Sequence, residues 1–244
     1  MGCIKAVIFD YVGTLVNCRG YSMDASKEKL FQMLTDEGFN CDRNRFMQEY
    51  SRAHEKYRKV RYGELREVTN AIWVAEALTN LGFDVNPTDA RVKSALNVFF
   101  QDFIDTLTLR EDAKKLLKRA QAQFKVGLIT NFTYTPVIYK SLRKLGISEY
   151  FNATLVSEAV GWRKPSSQIF RDALEKLQVS ADQAIYVGDS PTEDIKGASD
   201  MGMKTIFVPS QFNSVLDLNQ SFQKPNYIAS DLGFIIDRFA EITC

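Results

Sequence analysis

The run Gly188-Asp189-Ser190-Pro191-Thr192-Glu193-Asp194 sets two aspartates five residues apart, with Glu193 beside the second. Like charges this crowded are costly unless a cation is shared. Hard carboxylate oxygens suit Mg²⁺, which takes one or two protein carboxylates and fills its other positions with water and substrate phosphate oxygens. Helix capping is the simpler reading, since Asp189, Ser190 or Thr192 could each satisfy free amides. Capping accounts for one of them, but not for Asp189 and Asp194 together.

Three other segments carry chemistry of the same kind. Asp10 ends an apolar run and is followed by Tyr11-Val12-Gly13-Thr14, where Gly13 permits a turn with positive φ and the Thr14 hydroxyl can orient a phosphate or a carboxylate. Alone, Asp10 could equally cap a turn. Leu128-Ile129-Thr130-Asn131 ends in a hydroxyl and an amide, and Gly161-Trp162-Arg163-Lys164-Pro165 offers a loop lysine able to neutralise phosphoryl or aspartate charge. Taken singly, Thr130 reads as a turn residue and Lys164 as a solvated charge.

The elements that must position these residues follow from the apolar pattern. Ile4 to Phe9, Val126 to Thr130, Ala184 to Val187 and Lys204 to Val208 are short, nearly continuous apolar runs, as in strands buried on both faces. Helix-period stretches lie around them at Arg110 to Gln123, Thr135 to Leu145, Ser167 to Leu177 and Thr192 to Met201. Strand alternating with helix predicts an α/β fold with a parallel sheet and helices on both faces. Tyr21 to Asp105 breaks the alternation: it reads as successive amphipathic helices with turns at Glu37-Gly38, Tyr62-Gly63 and Asn86-Pro87. Following so soon after the first strand, this inserted helical domain should sit above the strand's C-terminal end, where open α/β sheets bind ligands.

Composition narrows the function classes. The 244 residues carry 31 basic and 30 acidic side chains, so no whole-protein field favours nucleic acid or an anionic membrane. No apolar run approaches the roughly 18 residues of a membrane helix, and no secretory signal is evident at the N-terminus. Cys3, Cys18, Cys41 and Cys244 are scattered without a CxxC pair, which fits a reducing cytoplasm. The one histidine, His54, rules out a His-rich zinc site. Its charged surroundings read as a solvated helix face.

Taken together and in this order, the four segments resemble the haloacid dehalogenase-like (HAD) superfamily. Its motifs are an Asp followed by Gly-Thr, a strand-end Ser/Thr, a Lys, and an acidic Gly-Asp-Ser-x-x-x-Asp loop. The resemblance implies a Rossmann-like core over residues 1–18 and 107–244, with a helical cap over 19–106. It also implies that Asp10 attacks phosphorus to form an aspartyl-phosphate that water then hydrolyses. Mg²⁺ would be held by Asp10, the Val12 carbonyl and Asp189, with Asp194 acting through water or orienting Lys164. Thr130 and Lys164 would grip the phosphoryl group, with Thr14 and Asn131 in support. The expected partner is a small phosphorylated metabolite, neither nucleic acid nor membrane, with the protein acting as a monomer or homodimer. Cap movement would hinge near Asn17 to Gly20 and Thr106 to Leu109.

Position 12 departs from the pattern, because phosphatases of this family carry there a second aspartate that protonates the leaving group. Valine cannot, and general acid–base catalysis is worth roughly 10² to 10⁴-fold. Tyr11 is no substitute, since in extended backbone it points opposite to Asp10 and Val12. Aryl and acyl phosphates should therefore outpace sugar phosphates. Haloacid dehalogenation needs no such proton, but in that branch a small hydroxyl residue replaces Asp189 and an asparagine replaces Pro191. Phosphonate-cleaving relatives need a cap lysine of lowered pKa, which the surroundings of Lys56 and Lys59 do not suggest. A catalytically weakened binding protein is the third alternative. Within the cap, Arg61, Tyr62 and Glu64 are candidate substrate contacts or a solvated turn, whereas Trp73 and Phe99-Phe100 read as cap core.

Overall fold

The computed structural model describes residues 3–243, so the N-terminal residues of the signal reading and Cys244 lie outside it. The sheet has strands β1 (Ala6–Phe9), β4 (Lys125–Thr130), β5 (Ala153–Val156), β6 (Ala184–Gly188), β7 (Lys204–Phe207) and β8 (Tyr227–Ile228) in the order β5-β4-β1-β6-β7-β8, with all pairs parallel. A separate antiparallel pair joins β2 (Val16–Cys18) to β3 (Leu107–Leu109).

Central position explains why β1 is apolar at every residue. Val7 and Phe9 join a core cluster with Leu116 and Val137, while Ala6 and Ile8 face a second cluster containing Ile169 and Phe170. Alternation of side chains sends successive residues to opposite layers, and both layers are dry.

Five helices, α1 (Met23–Asp36), α2 (Arg43–Gly63), α3 (Asn70–Asn80), α4 (Ala90–Phe99) and α5 (Gln101–Thr106), lie between β2 and β3. Ser22, Asp42, Thr69 and Asp89 cap the first four through side-chain oxygens. The helices α6 (Ala113–Gln121) and α7 (Thr135–Lys144) flank β4, the short α8 (Ser157–Val160) follows β5, and α9 (Ser167–Leu177) packs on the other face.

Several elements differ from the sequence expectation, and β8 is an addition to it. Strand β5 was not expected, being a four-residue edge strand with Thr154 interrupting its apolarity. The β2–β3 ladder is too short to leave a periodic signal. The helix expected from Arg110 starts at Ala113, because Asp112 takes φ +62°. Thr192 to Met201 is a π-helical turn, Pro191–Ile195, followed by α10 (Lys196–Asp200). Such wide turns often mark functional sites.

Candidate active site

Asp10 stands at the C-terminal end of β1, 6% exposed, with its amide donating to the Val187 carbonyl at 2.9 Å. Its Oδ1 accepts from Lys164 Nζ at 2.6 Å, and its buried Oδ2 has no partner. Asp10, Asp189 and Asp194 each present a carboxylate oxygen within 4.8 Å of the others. An unpaired carboxyl oxygen on a residue clustered with two more carboxylates is the arrangement a hard divalent cation would complete. Burial, followed by the Asp194 and Asp189 charges, pushes the Asp10 carboxyl up to about 8 against the opposing pull of Lys164. Burial and Asp194 likewise raise Asp189.

The two glycines of the motifs are dictated by contact. At φ +105°, Gly13 lets the loop turn back so closely that a Cβ would stand 2.4 Å from Asp189 Oδ2. A Cβ on Gly188 would come within 2.5 Å of the Asp194 side chain. Thr14 Oγ1 donates to Asp189 Oδ1 at 3.3 Å, whereas Asp189 Oδ2 accepts from Ser210 and Asn213.

Lys164 is 2% exposed and fully committed. Besides Asp10, its ammonium reaches Asp194 Oδ1 at 2.7 Å, the Tyr186 hydroxyl at 3.1 Å and the Ile129 carbonyl at 3.1 Å. Although burial alone would lower it, the Asp10 and Asp194 charges hold Lys164 above its ordinary value. Asp194 Oδ2 accepts from the Ser190 amide at 2.9 Å, a contact made possible by the wide turn. Asn131 exchanges two backbone bonds with Lys164, its Oδ1 accepting from the amide at 2.8 Å and its Nδ2 donating to the carbonyl at 3.0 Å. Nδ2 also donates to Glu193. Thr130, at the end of β4, is buried. Tyr11 turns away, its hydroxyl against Ser141 at 2.8 Å, and Val12 is partly exposed.

The cap candidates part company. Arg61 lines a cavity of about 420 Å³ between the helices and the loop after β4, but Tyr62 lies instead under the Arg163 guanidinium at 4.1 Å. Glu64 is exposed at the end of α2. The residues just beyond them dock on the lysine loop. Arg163 N donates to Leu65 O and Glu67 N to Gly161 O, both at 3.0 Å, and Arg66 stacks on Trp162 at 4.2 Å. His54 corrects the expectation of a solvated histidine: it is half-buried, stacked on Tyr50 and edge-on to Trp73, and burial lowers its pKa. Trp73, Phe99 and Phe100 are core, as expected, but they also line the cavity. Lys56 pairs with Glu76 at 2.7 Å, which raises its pKa.

Several site residues carried little signal in the sequence. Tyr186 is a lone hydroxyl in an apolar strand, and Ser210 and Asn213 are polar residues after a strand end; either pattern could have marked them. Arg110 clamps the Gly13 and Pro209 carbonyls, and Glu67 and Arg163 meet only through tertiary packing.

An acidic cluster at the carboxyl ends of parallel strands, with a buried lysine bridging two of its aspartates, defines a hydrolase site of the HAD type. The chain belongs to the haloacid dehalogenase-like hydrolase family, whose profile matches residues 4–202. It is 28% identical over 208 residues to ribulose-1,5-bisphosphate 5-phosphatase of Halopiger xanaduensis, covering 84% of this chain and 85% of that one. Glyceraldehyde 3-phosphate phosphatase of Methanopyrus kandleri is also 28% identical, over 211 residues and 83% of each chain. Among solved structures, a 2-haloacid dehalogenase from Pseudomonas syringae pv. Tomato shares the fold with TM-score 0.66 at 23% identity, covering 98% of this chain and 99% of that one.

Proposed function

We propose that this hydrolase is a Mg²⁺-dependent phosphatase of small phosphorylated metabolites. The unpartnered Asp10 Oδ2, facing Asp189 and Asp194, carries the reading. Relatives named as phosphatases, over more than four-fifths of their length, support phosphate esters as the substrate class. Residues 19–106 act as a cap on a core of residues 1–18 and 107–244. The cytoplasm and a monomer or homodimer complete the proposal.

In this mechanism an Asp10 oxygen forms a bond to phosphorus as the ester P–O bond breaks, and the leaving oxygen departs with the electron pair. Water then attacks the aspartyl-phosphate, releasing phosphate and restoring the carboxylate, its proton balancing the alcohol formed. Lys164 neutralises Asp10 and the phosphoryl oxygens, Thr130 donates to the phosphoryl group, and Thr14 orients Asp189. Asn131 acts by holding the lysine loop. Asp10, the Val12 carbonyl and Asp189 would hold Mg²⁺, with Asp194 acting through water or by orienting Lys164, and the ion would supply charge neutralisation. No side chain at position 12 donates to the leaving oxygen, so good leaving groups are favoured. Asp189 beside Asp10 would repel a haloacid carboxylate, which disfavours dehalogenation.

A Mg²⁺-dependent screen of phosphorylated metabolites, with a 2-haloacid alongside, tests this. Phosphate release abolished by Asp10→Asn is expected. Halide release, or no release of phosphate from any ester, would overturn the reading.

A further inference from the structure

The cavity beside the catalytic site has a chemistry of its own. Its walls are aromatic: Tyr50, Trp73, Phe99, Phe100 and Phe103 from the helices meet Phe132 from the loop after β4. The rings form a connected surface, with Phe99 and Phe100 4.7 Å apart, Phe100 and Phe132 5.3 Å, and Phe103 and Phe132 5.1 Å. Asn131, which holds the Lys164 loop, also lines the cavity, so the aromatic space begins within one residue of Thr130. Thr130 ends β4, the neighbour of β1, so the cavity adjoins the strand ends that carry Asp10.

The charges in the wall are already balanced. Lys27 pairs with Asp24, Arg61 with Glu67, and Glu55 with Arg58. A second anionic group would find no spare cation there. Two polar atoms of the wall are left over: Asn70, 4% exposed at the start of α3, has a buried Oδ1 without a partner, and Trp73 has a buried Nε1–H without one. A buried acceptor of this kind calls for a donor.

We propose that the cavity binds the leaving group of the substrate, and that this group is an uncharged aromatic ring carrying a hydroxyl or N–H donor for Asn70 Oδ1. The assignment rests on the phosphatase reading for the position of the phosphoryl group. It agrees independently with Val12, because a phenolic oxygen leaves without the proton that an alkoxide requires. The flat ring packs against the aromatic wall, and its donor satisfies the one unpaired acceptor.

Two measurements test the assignment. Benzylphosphonate and propylphosphonate replace the ester oxygen by carbon and cannot be turned over as esters, so their Mg²⁺-dependent binding by calorimetry is independent of catalysis. Benzylphosphonate should bind at least about tenfold more tightly; equal affinity or the reverse order would overturn the proposal. On esters, the best of the ortho, meta and para hydroxyphenyl phosphates should exceed phenyl phosphate in kcat/KM by about tenfold. In Asn70→Leu that ratio should fall to about one; a ratio unchanged by the substitution would overturn the role of Asn70. If Asn70→Leu does not fold, the hydroxyphenyl series on the parent decides, and a ratio of one or less counts against the donor. Tight benzylphosphonate binding without turnover of any ester would remove the phosphatase reading and leave the cavity assignment standing.

Discussion

The Glu67 carboxylate accepts from the Ser157 hydroxyl at 2.6 Å, joining the loop between α2 and α3 to the first residue of α8. The Glu67 side chain is fully buried, with Arg61 at one oxygen and Arg163 3.9 Å from the other. Removing the carboxylate leaves two arginines without their shared anion. Glu67→Ala should lower unfolding stability by about 3 to 5 kcal/mol, measured by urea denaturation. A loss under about 1 kcal/mol would show the contact to be energetically idle.

Gly13→Ala forces a methyl group into the Asp189 carboxylate at a positive φ. Displacing a carboxylate of the site by about 1 Å costs on the order of 10²-fold in rate. Mg²⁺-dependent phosphate release should fall by at least that factor, and activity within threefold of the parent would refute the close approach.

Lys164→Met leaves Asp10 and Asp194 facing each other in a buried site without their common cation. Stability without metal should fall by about 3 kcal/mol or more. Mg²⁺ should restore part of the loss in thermal melts, because it replaces the missing positive charge.

The pH dependence follows from Asp10, whose carboxyl is raised from 3.8 to about 8 by burial. Between these values the folded chain holds a proton there that the unfolded chain has lost. This group's contribution to stability is therefore full below pH 3.8 and declines as pH rises toward 8. In EDTA, the parent's Tm should fall more steeply than that of Asp10→Asn over this window. Parallel slopes would exclude the shift.

Val12→Asp places a carboxyl where the leaving-group proton is missing. Turnover of alkyl phosphates should rise by about 10²-fold, with a smaller change for aryl phosphates. An equal response of both classes would mean that the proton at position 12 is not what limits the alkyl esters.

The core was legible because burial on both faces leaves a simple mark: β1, β4, β6 and β7 lie in short, largely apolar runs. Asp10, Lys164 and the acidic loop were legible as a group for a different reason, since their charges are costly anywhere but in a shared site. Strand β5 escaped because four residues at a sheet edge need little apolarity. His54 was misread because α2 is charged on most of its surface, and only tertiary contact with Trp73 reveals which face turns inward. The stacking of Tyr62 under Arg163 left no mark in the sequence, because it depends on two distant segments meeting. Arg110 and Glu67 act through hydrogen bonds and ion pairs to distant segments, which no local spacing encodes.

The ladder of β2 and β3 makes Cys18 and Leu107 direct neighbours across the strand pair. Everything from residue 19 to 106 is thus hung on the protein as one oversized hairpin loop whose ends already meet. Closure entropy grows only slowly with loop length, so away from the contacts of residues 65–67 the helices can be lengthened or resurfaced with little effect on the sheet. Selection for a new metabolite can rewrite the aromatic walls while the aspartates and the lysine stay where they are.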